Sequence, residues 1–319
     1  MRVVCLAGGV GGAKLADGLQ QVLAPGELTV VVNTGDDFER HSLLICPDHD
    51  TVAYTLAGVA DPVQGWGLAD ETWQVMDQLA RLGQETWFRI GDRDLATHLF
   101  RAERRGKGVR LTQIALELQK ALGVPSRVLP MTDEQVRTRV RTDDGWLDFQ
   151  DYFVRLRQVP EVRDVRYEGA ESSAITPEVR AAIQAADTIV VAPSNPVVSI
   201  GPILAIPGFM EEIASARHRG VRVVGVSGIV GGKAVRGPAD RMLASLGEES
   251  SALGVARRYA SIGLLDAFVI DRADESMADE IRSLGLEVAV ADTIMTDVPD
   301  RGRLAREMLV LARASGAAA

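Results

Sequence analysis

An unbroken apolar run, Val3 to Ala7, ends in the glycines of "LAGGVGGAKLADGL" (6–19), after which Leu15, Leu19, Val22 and Leu23 recur at helical spacing. This predicts strand, loop and helix. A second β-branched run, Leu28 to Val32, completes a βαβ unit over residues 2–33, with a parallel strand pair and a right-handed crossover. The pattern returns in "DTIVVAP" (187–193), "VRVVGVSG" (221–228), "DAFVID" (266–271) and "LEVAVAD" (286–292). Near-continuous apolar runs of this length predict strands covered on both faces. Between the later runs lie helical stretches, one with Thr176 as N-cap and Pro177 at the first helical position.

Residues 62–170 break the rhythm. Amphipathic segments predict helices near 70–82, 94–105 and 111–122, and "VRTRVRTDDGWLDFQ" alternates like short strands around the turn pair Asp144-Gly145. The fold class is therefore α/β, a doubly wound Rossmann-like parallel sheet with an inserted α+β subdomain. The core takes 1–61 and 171–319, and the insertion takes 62–170. The basic run "FRAERRGKGVR" reads as a solvated helix end, because Glu103 interrupts it and the chain as a whole is acidic. The tail "ASGAAA" is expected to fray.

Composition then works by exclusion. A net charge of −9 gives no basic field for nucleic acid, so any anion must be held by local geometry. Cys5 and Cys46 form no CxxC motif, which argues against a disulfide framework or a thiolate metal site and fits a reducing cytoplasm. The opening apolar run is too short for a signal peptide or a membrane span.

The glycine loop packs four glycines into residues 8–12 at the start of a helix, where backbone N–H groups and the helix dipole favour an anion. It matches neither standard nucleotide loop. Lys14 suits a Walker A motif, but Ala13 stands where that motif has glycine and Leu15 where it has the magnesium-binding hydroxyl. A dinucleotide fingerprint fits Gly9 and Gly11 but meets Lys14 at its third small position, and the second strand ends at Asn33 where a ribose-binding carboxylate is expected. A phosphate or nucleotide cradle and a tight turn without ligand both remain open.

Four further stretches carry chemistry. "NTGDDFERHSLLICPDHDT" places Asp36 and Asp37 at a strand end and Asp48, His49 and Asp50 near the next helix, a set able to converge on a hard cation such as magnesium. The plainer alternative is that Asp48 or Asp50 caps a helix starting at Thr51. His41 and His49 read as surface histidines of a polar loop rather than bases. "APSNPVVSIGPIL" sets Ser194 and Asn195 in a rigid turn, and "GIVGGKAVRGPA" offers Gly231, Gly232, Lys233 and Arg236 as a second anion cradle. In "GDRDLATHLF", Asp92 and Asp94 are expected to cap a helix, and the spacing leaves open whether Arg93 and His98 face a ligand or the helix merely carries a surface salt bridge. Trp66, Trp73 and Trp87 read as core residues. Loops at the carboxyl ends of parallel strands point to one shared site.

These motifs, with "GWGLADETW" (65–73), run in order to about residue 300, and together the sequence resembles the 2-phospho-L-lactate transferase family of coenzyme F-420 biosynthesis. The resemblance implies a Rossmann-like core with an inserted subdomain, a homodimer, and a magnesium-dependent phosphotransferase. Such an enzyme joins the deazaflavin Fo to a phospho-acid (phospholactate, phosphoenolpyruvate or phosphoglycerate) delivered as a guanosine diphospho adduct, and releases GMP. It further implies Asp36 and Asp50 as the catalytic and metal-binding pair, supported by Asp37, and Arg93 and His98 at the Fo pocket. Gly9, Gly11, Gly12, Lys14, Asn33, Ser194, Asn195, Gly231, Gly232 and Lys233 would then hold the guanosine diphospho group. The rival implied by a related branch is a non-catalytic nucleotide-sugar-binding regulator.

Overall fold

The computed structural model describes residues 1–313, so the tail expected to fray lies outside the described residues. Seven parallel strands form the central sheet: β1 (Val3–Ala7), β2 (Leu28–Val32), β3 (Arg127–Pro130), β4 (Thr188–Val191), β5 (Arg222–Val226), β6 (Ala267–Asp271) and β7 (Glu287–Ala291). Their order is β7-β6-β5-β4-β1-β2-β3, a doubly wound arrangement that reverses direction between β1 and β4. Cys5 pairs in register with Val30 on one side and Val190 on the other.

Strand alternation sends Val3, Cys5 and Ala7 into one apolar layer and Val4 and Leu6 into the other. The first layer is covered by helix α1 (Gly9–Val22), helix α2 (Pro47–Leu56) and helix Val298–Arg313. Close helix packing is written into Gly18, where a Cβ would stand 2.1 Å from the Arg301 carbonyl oxygen. Helix Pro177–Ala185 starts as the sequence predicts, with Val179 N–H donating to Thr176 Oγ1 at 3.2 Å.

The stretch 62–170 does not all stand outside the sheet. Helices α3 (Gln74–Arg81), α4 (Asp94–Gly106) and α5 (Leu111–Ala121) fall where periodicity predicts them, but β3 follows α5 and pairs with β2, matching Val30 to Val128. The physical reason is a buried Val128-Leu129 pair that completes the apolar edge of the sheet. Strands Arg137–Thr142, Gly145–Asp148 and Asp164–Glu168 form a separate antiparallel sheet. Its first hairpin turns at Asp143 and Asp144, with Gly145 taking the positive φ of 113°. A hairpin the sequence reading did not anticipate joins Phe38–Arg40 to Leu43–Ile45 through His41 and Ser42, both at positive φ.

Candidate active site

The glycine loop lies where the strand order reverses, beside the loop that follows β4. The two loops are stitched together: Ser194 Oγ accepts from Gly8 N–H at 3.0 Å and donates to the Gly8 carbonyl at 2.7 Å. A Cβ on Gly11 would stand 2.7 Å from the Pro193 carbonyl oxygen, and one on Gly12 would stand 2.6 Å from Ser194 Oγ. Close approach of two loops therefore demands these glycines, whatever the loop binds. Gly9 takes a positive φ of 63°, and its N–H donates to Asp48 Oδ1 at 2.8 Å. The start of α1 thus already faces a carboxylate of the same chain.

Asn33 ties the region together. Its amide donates to Asp48 Oδ2 at 2.9 Å and to the Val198 carbonyl at 3.1 Å, and its oxygen accepts from Gly35 N–H at 2.7 Å. Neither Asp48 nor Asp50 caps a helix at Thr51. Helix α2 begins at Pro47, whose fixed φ suits a first helical position, so both aspartates fall in its first turn and Asp48 serves α1 instead. His49 is buried beside them rather than on the surface, whereas His41 sits partly exposed in its hairpin turn.

Asp36, Asp37, Asp48 and Asp50 are all buried and linked as a chain of neighbouring charges, Asp36 with Asp48 and Asp37, and Asp37 with Asp50. Burial, then the neighbouring charge of Asp48, pushes Asp36 well above the usual carboxylate range. Burial pushes Asp37 up to about 7 and Asp48 up to about 6. Asp50 goes the other way: burial alone would raise it, but the Arg101 guanidinium and the adjacent histidines hold it well below. Asp36 Oδ1, Asp37 Oδ1 and Asp50 Oδ2 are buried without a hydrogen-bond partner. Buried, unpartnered carboxylate oxygens in a cluster this acidic fit a hard divalent cation.

The residue that sequence reasoning missed is Arg101, fully buried although it belongs to the run read as solvated. Its Nη2 donates to Asp50 Oδ1, while its Nη1 donates to His98 Nδ1 at 3.0 Å and to the Leu44 carbonyl at 3.1 Å. With Nδ1 accepting, His98 keeps its proton on Nε2, which lies 3.2 Å from Asp94 Oδ2. Asp94 Oδ1 in turn accepts from Tyr54 Oη at 2.6 Å. Asp94, His98 and Arg101 stand four and three residues apart on one face of α4, a spacing that would have revealed them together. Donor atoms of Asp50, Asp94 and His98 lie within 4.8 Å of one another, as a metal site would need, but both His98 nitrogens are committed to protein partners.

Asp92 and Asp94 do not cap α4. Asp92 accepts from Gln74 and Val75 N–H at 2.9 and 3.0 Å, closing the start of α3, while Glu71 accepts from Arg93 and Asp94 N–H at 2.8 and 2.7 Å, closing the start of α4. Two neighbouring helices exchange caps because each is preceded by the other's loop. Arg93 is exposed, and its Nη1 donates to the Ala69 carbonyl at 2.7 Å. His98 is buried, out of contact with solvent, and so does not face a ligand in this structure. Trp73 packs on Ile45, Met76 and Ile90, but Trp66 is 42% exposed and is no core residue.

Most of the remaining expected anion ligands have protein partners. Asn195 spends its oxygen on Val197 and Val198 N–H. Gly231 and Gly232 form the positive-φ turn of a small hairpin, with Gly231 N–H held by Asp274 and Lys233 exposed. Lys14 Nζ donates to the Met295 carbonyl at 2.7 Å, and burial, with Arg301 and Arg236 nearby, lowers its pKa. A separate open cavity of about 710 Å³ lies between the 38–45 hairpin and the antiparallel sheet, lined by Arg40, Trp87, Arg137, Arg139, Gln150 and Arg155 among others. Gln150 leads from it to the Asp36 backbone, its amide 3.5 Å from that carbonyl.

Residues 3–307 match the family model described as 2-phospho-L-lactate transferase CofD. The chain belongs to this family. It is 46% identical over 317 residues to a phosphoenolpyruvate transferase of Streptomyces griseus, covering 98% of each chain. It is 40% identical over 326 residues to a phosphoenolpyruvate transferase of Mycobacterium avium, covering 93% of this chain and 94% of that one. A UPF0052 family member from Bacillus halodurans shares the fold, with a TM-score of 0.65 at 14% identity over 97% of this chain and 98% of that one. The CofD-family chain is a transferase of a phosphoester-bearing group in coenzyme F-420 biosynthesis. Among the described residues no single helix is long and apolar enough to cross a membrane.

Proposed function

We propose that the protein transfers the phosphoenolpyruvyl group from its guanosine diphospho adduct to the terminal ribityl hydroxyl of Fo, with magnesium, releasing GMP. The observation that carries this reading is the cluster Asp36, Asp37, Asp48 and Asp50, buried at the switch point of the sheet with three carboxylate oxygens unpartnered. The names of its relatives favour phosphoenolpyruvate over the other two acids.

The ribityl oxygen forms a bond to the phosphorus that bears the acid, and the bond from that phosphorus to the GMP oxygen breaks. The hydroxyl proton passes to a carboxylate of the cluster, and GMP leaves with the electron pair of the broken bond. When bound, magnesium would neutralise charge on the transferring phosphoryl group and on the departing GMP phosphate. Asp36 and Asp50 are the residues proposed to hold it, with Asp37 in support. The first turn of α1 and the loops at 193–195 and 231–233 shape the donor side, where a diphosphate would compete with Asp48 for the N–H groups at the start of α1. Arg93 and the 61–71 loop form the lip of the Fo side, with His98 behind them.

Incubating the purified protein with Fo, magnesium and each of the three guanosine adducts in competition tests the reading by mass spectrometry. The expected product is Fo extended by the phosphoenolpyruvyl group, formed in preference to the other two. Preference for another acid overturns the donor assignment, and recovery of unchanged Fo from all three overturns the acceptor.

A further inference from the structure

We infer that Arg101 is a positioning residue that fixes the Asp50 carboxylate by one oxygen and so presents the other to a divalent cation. Arg101 is the sole buried arginine among the fully buried side chains, and its hydrogen bonds all point inward: to Asp50 Oδ1, to His98 Nδ1 and to the Leu44 carbonyl. A guanidinium held at three points has one orientation, and the carboxylate it grips loses its freedom to rotate. Asp50 Oδ2 is left buried and without a hydrogen-bond partner. The chain behind Arg101 is itself closed. His98 donates to Asp94, and Asp94 accepts from Tyr54, so that His98 and Asp94 hold the guanidinium rather than the cation.

Lysine cannot replace this arrangement. It supplies the same charge on a flexible stem without the planar fork, so Arg101→Lys separates positioning from charge. The inference rests on the proposed function only in taking a divalent cation as the guest of Asp50. Manganese binding to the free protein, followed by electron paramagnetic resonance, therefore tests it without Fo or donor. In Arg101→Lys, manganese affinity should fall about tenfold or more, as when the partner that orients a metal ligand is lost. GDP affinity measured without metal should stay unchanged, and the kcat of transfer should fall more than the KM for either substrate.

If Arg101 only ties α4 to the 43–45 strand through Leu44, the melting temperature falls while the folded variant binds manganese as the unsubstituted protein does; that result overturns the inference. Should Arg101→Lys fail to fold, His98→Phe removes one grip on the guanidinium and leaves the charges of Arg101 and Asp50 in place. Its manganese affinity should also fall, and an unchanged value overturns the inference equally. No manganese binding by the unsubstituted protein overturns it outright. Manganese binding without any transfer to Fo overturns the proposed function and leaves the role of Arg101 standing.

Discussion

If Asp36 holds the metal, stability and transfer should pull in opposite directions at this residue. Its carboxylate is buried beside Asp48 and Asp37, and one oxygen has no hydrogen-bond partner. Replacing it with asparagine keeps the volume and removes a charge that burial and its neighbours disfavour. Asp36→Asn should therefore melt at the same temperature or higher in metal-free buffer, yet lose transfer by about 100-fold or more as a metal ligand is removed. Calorimetry and GMP release check the two halves, and full activity would remove Asp36 from the site. Gly12 carries a different expectation. A valine side chain there meets Ser194 Oγ and the Ala7 Cβ, 2.6 and 3.0 Å from its first carbon, so Gly12→Val should weaken GDP and Fo binding together and lower the melting temperature. Loss of GDP binding alone, measured by calorimetric titration, would restore the glycine to direct contact with the donor. The closeness of the carboxylates was readable in the sequence because Asp36 and Asp37 follow one strand of the sheet directly and Asp48 and Asp50 open the next long helix, although Asp48 proves to serve α1 as a cap. Arg101 was not, because charge counting along a basic run ignores which face of the helix each residue takes.

The same division holds for whole segments. Six of the seven strands announce themselves as apolar runs, whereas β3 is four residues long, begins at a partly exposed arginine and ends in proline, and is completed only by its pairing with β2. The helices of the 62–170 stretch were readable from periodicity, but their caps were not, since Asp92 and Glu71 act across space on each other's neighbour. Glu71→Ala should free two N–H groups at the start of α4, cost of the order of 0.5–2 kcal/mol in urea denaturation, and disturb the Asp94–His98–Arg101 face enough to lower kcat. Asp92→Ala should destabilise α3 with a smaller effect on transfer, because that helix carries none of the network residues; equal losses of kcat would contradict the assignment. Far from the site, Gly18→Ala drives a methyl group onto the Arg301 carbonyl and should cost about 1–3 kcal/mol by overpacking α1 against helix Val298–Arg313. Transfer assayed well below the melting transition should survive it, and an unchanged denaturation midpoint would show that the two helices separate freely.

Across the molecule, the proposed function asks an acidic chain to hold anionic substrates, and the glycine loop and the loop after β4 meet where the sheet reverses direction. Two of the backbone donors expected to hold an anion already hold protein carboxylates: Gly9 holds Asp48 and Gly231 holds Asp274. In the proposed function the doubly wound core takes the nucleotide side, and the segments around it bring Arg93 to the other side, with the buried His98 and Arg101 behind Asp50. The two halves are joined only if donor and acceptor react with each other. Phosphorus NMR of the purified protein with magnesium and the phosphoenolpyruvyl guanosine adduct, recorded with and without Fo, measures this directly. GMP should appear only when Fo is present and in step with one new phosphodiester signal. GMP released at the same rate without Fo, or no GMP at all from either mixture, would contradict transfer to Fo.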